Sequence, residues 1–289
     1  IYHFPSGKAK WEQWAIVAGD TGGQGANDTG GDFGAAPDVD HTNERVRQDI
    51  IDWLNWLKSE VGFDGWRFDY TKGYGGEYAG EYVEQTSACF SVGELWTDMN
   101  YNGSYMLPDQ NSHRQALCDW LDAANGVVRT FDFTTKGQLQ VACKTGEYWR
   151  LRDSEGKASG LIGWWPDRAV TFIDNHDTGS LQAHWPFPGD KVLQGYAYIL
   201  THPGTPTIFW EHLYTWGDNH HKAIKEMAQL RTELGISRTS MLNILIAEQN
   251  RYVAQIDGKC LVKLGSGQYS PDGEWQLRHS GNDYAIWSK

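Results

Sequence analysis

Basic residues are scarce in this sequence. Lysine and arginine number 25 against 37 aspartates and glutamates, which leaves a formal charge of −12. A surface of that sign repels phosphate backbones and anionic headgroups, so neither a nucleic-acid nor a membrane partner is expected. Long apolar runs are missing too, and none approaches the roughly 18–20 residues of a spanning helix. The four cysteines, Cys89, Cys118, Cys143 and Cys260, lie far apart. They lack the paired short spacing of a zinc site or a dense disulfide framework. What is plentiful is tryptophan, with 15 in 289 residues beside 14 tyrosines and 10 phenylalanines. Flat indole faces stack on the apolar faces of sugar rings, which makes carbohydrate a natural partner. A tryptophan-rich core explains the same composition equally well.

The chain is unevenly organised. Residues 19–40 are rich in glycine and aspartate and poor in aliphatics, which reads as a long ordered loop. Thr42 is placed to cap a helix with the apolar stripe Val46, Ile50, Trp53, Leu57 and Val61. Short apolar runs follow at 63–68, 90–92, 128–133, 169–173 and 206–210. Each precedes a helix-period segment, at 77–85, 110–124, 136–143, 190–201 and 220–234. Strands alternating with helices predict βαβ units and a parallel sheet. After about residue 237 the pattern changes to short β runs such as 251–256, 260–264 and 284–287, split by Asp-Gly and Ser-Gly turns. A small antiparallel domain is expected there.

In a parallel α/β architecture, chemistry gathers at the C-terminal ends of strands. Three such ends carry carboxylates here. The first closes as Trp66-Arg67-Phe68-Asp69, and alternation of side chains places Arg67 and Asp69 on one face. A neighbouring guanidinium keeps Asp69 ionised, as suits a nucleophile. The second end presents Glu94 with Trp96 nearby, and apolar surroundings suit a general acid. The third reads Asp174-Asn175-His176-Asp177. A helix cap is the commoner role for a single acidic strand end, but three together with Arg, Trp or His alongside point to catalysis.

These strings resemble the strand-end motifs of the α-amylase family, the starch-acting clan of retaining glycoside hydrolases, and most of all its plant-type members. The likeness extends over Asp32-Phe33-Gly34-Ala35-Ala36-Pro37-Asp38, Gly62 to Asp69, Phe131-Asp132-Phe133-Thr134-Thr135-Lys136-Gly137, Gly163-Trp164-Trp165-Pro166, Ile173 to Ser180, Trp185-Pro186-Phe187-Pro188 and Ser280 to Trp287. It implies an α/β fold: a (β/α)8 TIM barrel lacking its first three strands, because the family's earliest strand-end motif does not occur here, followed by a small antiparallel β domain. The implied divisions are a calcium-binding loop region at 1–41, a partial catalytic barrel at 42–236 and the β domain at 237–289. An open parallel sheet leaves two edges unpaired, which is expected to cost stability or activity.

By the same resemblance Asp69 is the nucleophile, Glu94 the acid and base, and Asp177 the carboxylate that favours the oxocarbenium-like state. Arg67, Lys72, Gly73, His176, Trp96, Trp164 and Trp165 are the implied sugar contacts, with Trp164-Trp165 as a surface platform. Calcium is the implied cofactor. Asp28 and Asp38 with carbonyls near Gly31 and Gly73 form one site, and Asp32 with the Phe33 and Ala36 carbonyls forms another; oxygen donors on a glycine-rich loop suit this ion. The implied activity is endo-acting hydrolysis of α-1,4-glucosidic bonds in starch and maltooligosaccharides by a monomeric, secreted, extracellular or vacuolar enzyme. A transglycosylase of the clan and a non-catalytic starch-binding relative are the rivals. His220-His221 reads as a solvated helix start, and Asn27-Asp28-Thr29 and Asn102-Gly103-Ser104 are glycosylation sequons.

Overall fold

The computed structural model describes residues 2–3, 10–180 and 182–289. The chain divides into two compact units, one of residues 1–97 and 115–130, the other of 98–114 and 131–289. Among the described residues no helix is long and apolar enough to cross a membrane. All four cysteines are free thiols.

In the first unit, helix α1 (Glu44–Trp56) starts one residue later than the sequence suggests. Asn43, not Thr42, is the cap, accepting from the Arg45 amide at 3.0 Å. Thr42 is diverted because its amide and hydroxyl both donate to Asp40 Oδ1, at 3.0 and 2.6 Å. The buried stripe is also rotated from the expected one: Val46, Ile51 and Leu54 are buried, whereas Trp53 and Val61 are exposed. A π-helical turn at Leu57–Val61 continues α1, and its wider winding swings Val61 off the apolar face.

Three parallel strands follow, β1 (Gly65–Phe68), β2 (Phe90–Gly93) and β3 (Arg129–Phe131). The pairing register is Arg67↔Val92, Phe68↔Gly93 and Gly93↔Thr130. Trp66 is buried on one face of β1, where its Nε1 donates to Thr86 Oγ1 of α2 (Gly76–Thr86) at 2.8 Å. Arg67 therefore faces the other way. Helix α2 lies close to the last turns of α3 (Asn111–Ala123) because Gly76 and Gly80 carry no side chain. A Cβ on them would sit 2.4 Å from the Trp120 carbonyl oxygen and 2.9 Å from that of Ala124.

The chain enters the second unit within β3, between Thr130 and Phe131. Asp132 caps α4 (Phe133–Thr145), accepting from the Thr135 amide at 2.8 Å and the Ile162 amide at 3.0 Å. Strand β4 (Ala169–Thr171) pairs in parallel with β5 (Thr205–Pro206). Of the expected strand at 206–210, only Pro206 lies in the observed one. The Thr207 amide still donates to the Thr171 carbonyl at 2.8 Å, and Trp210 then opens α6 (Trp210–Tyr214). Helices α5 (Val192–Thr201) and α7 (Asp218–Glu233) pack on one another, and α5 also packs on the C-terminal sheet.

That sheet is antiparallel, in agreement with the expected change of character. Its strands β6 (Leu242–Glu248), β7 (Arg251–Ile256), β8 (Cys260–Leu264), β9 (Gln276–Gly281) and β10 (Tyr284–Ser288) are ordered β6-β7-β8-β10-β9. The Asp257-Gly258 turn has both residues in the left-handed region, as the dipeptide suggests. Strands β6 and β9 are the edges and are largely exposed or half-buried.

His202, at the end of α5, is wholly buried, with Nε2 2.8 Å from Tyr252 Oη and Nδ1 2.8 Å from the Tyr198 carbonyl. Burial pushes its pKa down to about 3. The unfolded chain then binds a proton that the folded chain refuses, so stability falls as pH drops below the ordinary histidine value of about 6.5. A His202→Gln variant is expected to lose less melting temperature than the parent between pH 7 and 5, measured by circular dichroism. Parallel pH profiles would refute this.

Candidate active site

The ends of β1 and β2 assemble the first part of the site. Past the last ladder pair, the Glu94 amide donates to the Phe68 carbonyl at 2.9 Å and the Thr71 amide to the Glu94 carbonyl at 3.1 Å. These bonds hold Glu94 beside the segment that carries Asp69. Tyr70 then takes a left-handed backbone (φ 45°), uncommon for a bulky residue, and turns the chain sharply after Asp69. The Arg67 guanidinium reaches both carboxylates: Nη1 is hydrogen-bonded to Asp69 Oδ1, and Nη2 lies 3.0 Å from Glu94 Oε1. The two acids sit in different surroundings. The Glu94 side chain is 8% exposed and that of Asp69 73%. Trp96 is half-buried two residues beyond Glu94.

The glycine-rich segment lies against this turn. The Gly31 amide donates to the Lys72 carbonyl at 2.8 Å, and Tyr70 Oη donates to the Asp32 carbonyl at 3.0 Å. Gly30 has to be glycine, since a Cβ there would lie 2.3 Å from the Gly73 carbonyl carbon. Phe33 lies against Tyr70 with the rings tilted and their centroids 4.8 Å apart. Asp28, Asp32 and Asp38 each bring a carboxylate oxygen to within 4.8 Å of the other two. Asp32 therefore joins Asp28 and Asp38 in one cluster. Burial, followed by the charges of Asp28, Asp20 and Asp32, pushes the Asp38 pKa up to about 6. Asp28 Oδ2 and Asp38 Oδ2 are buried without a hydrogen-bond partner. Orphaned hard oxygens amid concentrated negative charge fit a divalent cation. Ala36 closes a turn, its amide donating a hydrogen bond to the Phe33 carbonyl at 3.0 Å.

In the second unit, the loop after β4 holds Asp177 through its own side chains. Asn175 Oδ1 accepts from the Asp177 and Thr178 amides at 3.1 and 2.9 Å. The Asp177 carboxylate lies 3.3 Å from His176 Nε2 and accepts from Gln182 Nε2 at 2.6 Å. Trp164 and Trp165 are half-buried on the turn after Leu161, and the Arg114 guanidinium covers one Trp164 face at 3.9 Å.

The chain is 49% identical over 280 residues to the protein named probable α-amylase 2 of Arabidopsis thaliana, covering 96% of this chain and 67% of that protein. The chain belongs to the α-amylase family. The α-amylase type B isozyme of Hordeum vulgare is 53% identical over 155 residues, 52% of this chain and 99% of its own length. A chloroplastic α-amylase 3 of Arabidopsis thaliana is 43% identical, and the chain spans only 33% of it. The family model for the α-amylase C-terminal β-sheet domain matches residues 233–288. An Anoxybacillus α-amylase structure shares the fold with a TM-score of 0.64 at 14% identity, covering 87% of this chain and 65% of that one.

One buried contact in this α-amylase relative is not foreseen by its motifs. Asp174 is buried at the root of the Asp177 loop and accepts from Thr178 Oγ1 at 2.9 Å and the Phe187 amide at 3.1 Å. Lys136 Nζ lies 3.5 Å and His212 Nε2 3.6 Å from the same carboxylate. Burial pulls the Lys136 pKa down to about 8 and the His212 pKa to about 4, and pushes that of Asp174 up. Lys136 stood within a quoted motif, but its partner is 38 positions away in sequence and no spacing rule links them.

The acidic cluster makes a crossed prediction. In a calcium-free buffer with chelator, Asp38→Asn relieves repulsion and is expected to raise the melting temperature by about 2–4 °C, the response to roughly 1 kcal/mol in a chain of this size. With millimolar calcium the same variant is expected to melt below the parent. A variant that melts on the same side of the parent in both buffers would refute a cation-binding cluster.

Proposed function

We propose that the protein hydrolyses α-1,4-glucosidic bonds within starch and related glucans by retaining double displacement. The observation that carries this reading is the Arg67 guanidinium bridging Asp69 and Glu94 at the ends of adjacent parallel strands. An Asp69 carboxylate oxygen attacks the anomeric carbon while the Glu94 carboxyl protonates the departing glycosidic oxygen, forming a glycosyl-enzyme ester and releasing the chain's reducing-side fragment. Glu94, now ionised, removes a proton from water, whose oxygen attacks the same carbon and frees Asp69. Two inversions restore the original configuration. Burial of Glu94 suits the proton carrier, and exposure of Asp69 beside a guanidinium suits the nucleophile. Asp177, with His176, takes the ring hydroxyls and favours the distorted sugar. Lys72 and Gly73 line the leaving-group side, and Trp96, Trp164 and Trp165 supply indole surfaces.

The parallel strands belong, in this reading, to a (β/α)8 barrel at 42–236, with a calcium-binding loop region at 1–41 and the antiparallel domain at 237–289. Calcium is the fitting ion, with Asp28, Asp38 and the Gly31 and Gly73 carbonyls as one ligand set and Asp32 with the Phe33 and Ala36 carbonyls beside it. When bound, it supplies positive charge against the three carboxylates and ties the glycine-rich segment to the Lys72–Gly73 turn. A secreted or vacuolar monomer accords with the starch substrate.

Reducing-sugar release from soluble starch tests the assignment. Glu94→Gln is expected to cut the rate by about 100- to 10,000-fold, and proton NMR of the first products is expected to show the α-anomer. Equal release by parent and variant, or a β-anomeric first product, would overturn it.

A further inference from the structure

We propose that a further carbohydrate-binding site, separate from the Trp164-Trp165 platform, lies in the second unit, in a cavity of about 240 Å³ beside the half-exposed indole of Trp149. Asp109, Asn111, Arg152 and Ser154 stand at its exposed rim, and buried Arg114 and Arg150 form its floor.

The floor is rigid. Arg114 is 1% exposed and donates to Asn111 Oδ1 and Asp153 Oδ2, both at 3.0 Å, and to the Ala158 carbonyl at 3.1 Å. Arg150, equally buried, donates to Glu147 at 2.5 Å and to the Met106 carbonyl at 3.0 Å. Its guanidinium lies 5.1 Å from the Trp149 ring centroid and 4.9 Å from that of Tyr105. The indole is therefore held by a cation–π contact. It nevertheless remains 36% exposed, an apolar surface that internal packing does not consume.

The rim is polar and mixed in sign. Among the described residues Arg152 makes no ion pair, although it is exposed in a protein with a 12-charge acidic excess. Asp109 uses one carboxylate oxygen to accept from the Asn111 amide, at 2.9 Å. Donors and acceptors around an indole suit a neutral ring bearing vicinal hydroxyls. The lining carries three arginines beside Asp109 and Asp153, and with Arg114 and Arg150 engaged by Asp153 and Glu147 no single sign of charge dominates the cavity. The volume matches a sugar unit and not a folded peptide. Arg114 also covers the Trp164 face at 3.9 Å, so one buried guanidinium supports both indoles. The choice of a sugar ring rests on the exposed indole and the mixed polar rim; that it is a glucosyl unit of an α-glucan rests on the proposed activity.

Affinity electrophoresis through amylopectin-containing gels tests the site, with hydrolysis of a short chromogenic maltooligosaccharide measured in parallel. Trp149→Ala and Arg152→Ala are each expected to weaken amylopectin retention by about threefold to tenfold, the usual worth of one sugar–aromatic or charged contact. Short-substrate kcat/KM is expected to stay at the parent value. Because Arg152 is exposed, its variant keeps the test valid if Trp149→Ala fails to fold. Parent-like retention by a folded Arg152→Ala variant would overturn the site. Retention lost in the variants of a parent that hydrolyses nothing would uphold the site and refute the activity.

Discussion

The Arg67 guanidinium is the interaction on which the first half of the site depends. Two carboxylates on neighbouring strand ends would repel each other if left unscreened, and a planar fork of donors can engage both. Arg67 reaches them only because β1 and β2 are parallel and paired Arg67↔Val92, which brings Asp69 and Glu94 past the sheet side by side. A register slip of one residue would turn Arg67 to the face that Trp66 fills against α2. Packing of an indole on one side of β1 thus decides where the charge lies on the other.

The same economy is visible in the glycine-rich loop. It has no regular structure to hold it, and its carboxylates concentrate charge that folding alone does not neutralise. Contacts of Gly30 and Gly31 with Lys72 and Gly73 bring it against the turn following Asp69. A cation bound by Asp28, Asp32 and Asp38 would therefore stabilise a segment one turn away from the reacting groups.

The second unit arranges its functional loop by different means. Asp177 lies on a loop braced by Asn175 and Thr178, and below it buried Asp174 meets Lys136 and His212. An uncompensated charge at that depth is costly, so the three groups stabilise one another only in the folded arrangement. The cavity beside Trp149 rests on a comparable device, two buried arginines tied to carboxylate and carbonyl partners.

Much of this was legible in the residue order. Strands at 65–68 and 90–93, the Asp257-Gly258 turn, the acidic strand ends and the glycine-rich loop all announce themselves through local rules: alternation, turn chemistry and motif. Where the sequence misled, a competing local contact decided the outcome. Asp40 captured Thr42 and moved the α1 cap, and a π-helical turn rotated Val61 into solvent. What only the tertiary structure decided is which distant groups meet: Asp32 with Asp28 and Asp38, Lys136 with Asp174, Arg150 beneath Trp149. Local propensity depends on a few neighbouring residues, whereas these contacts depend on how helices and strands pack, and no spacing along the chain encodes that.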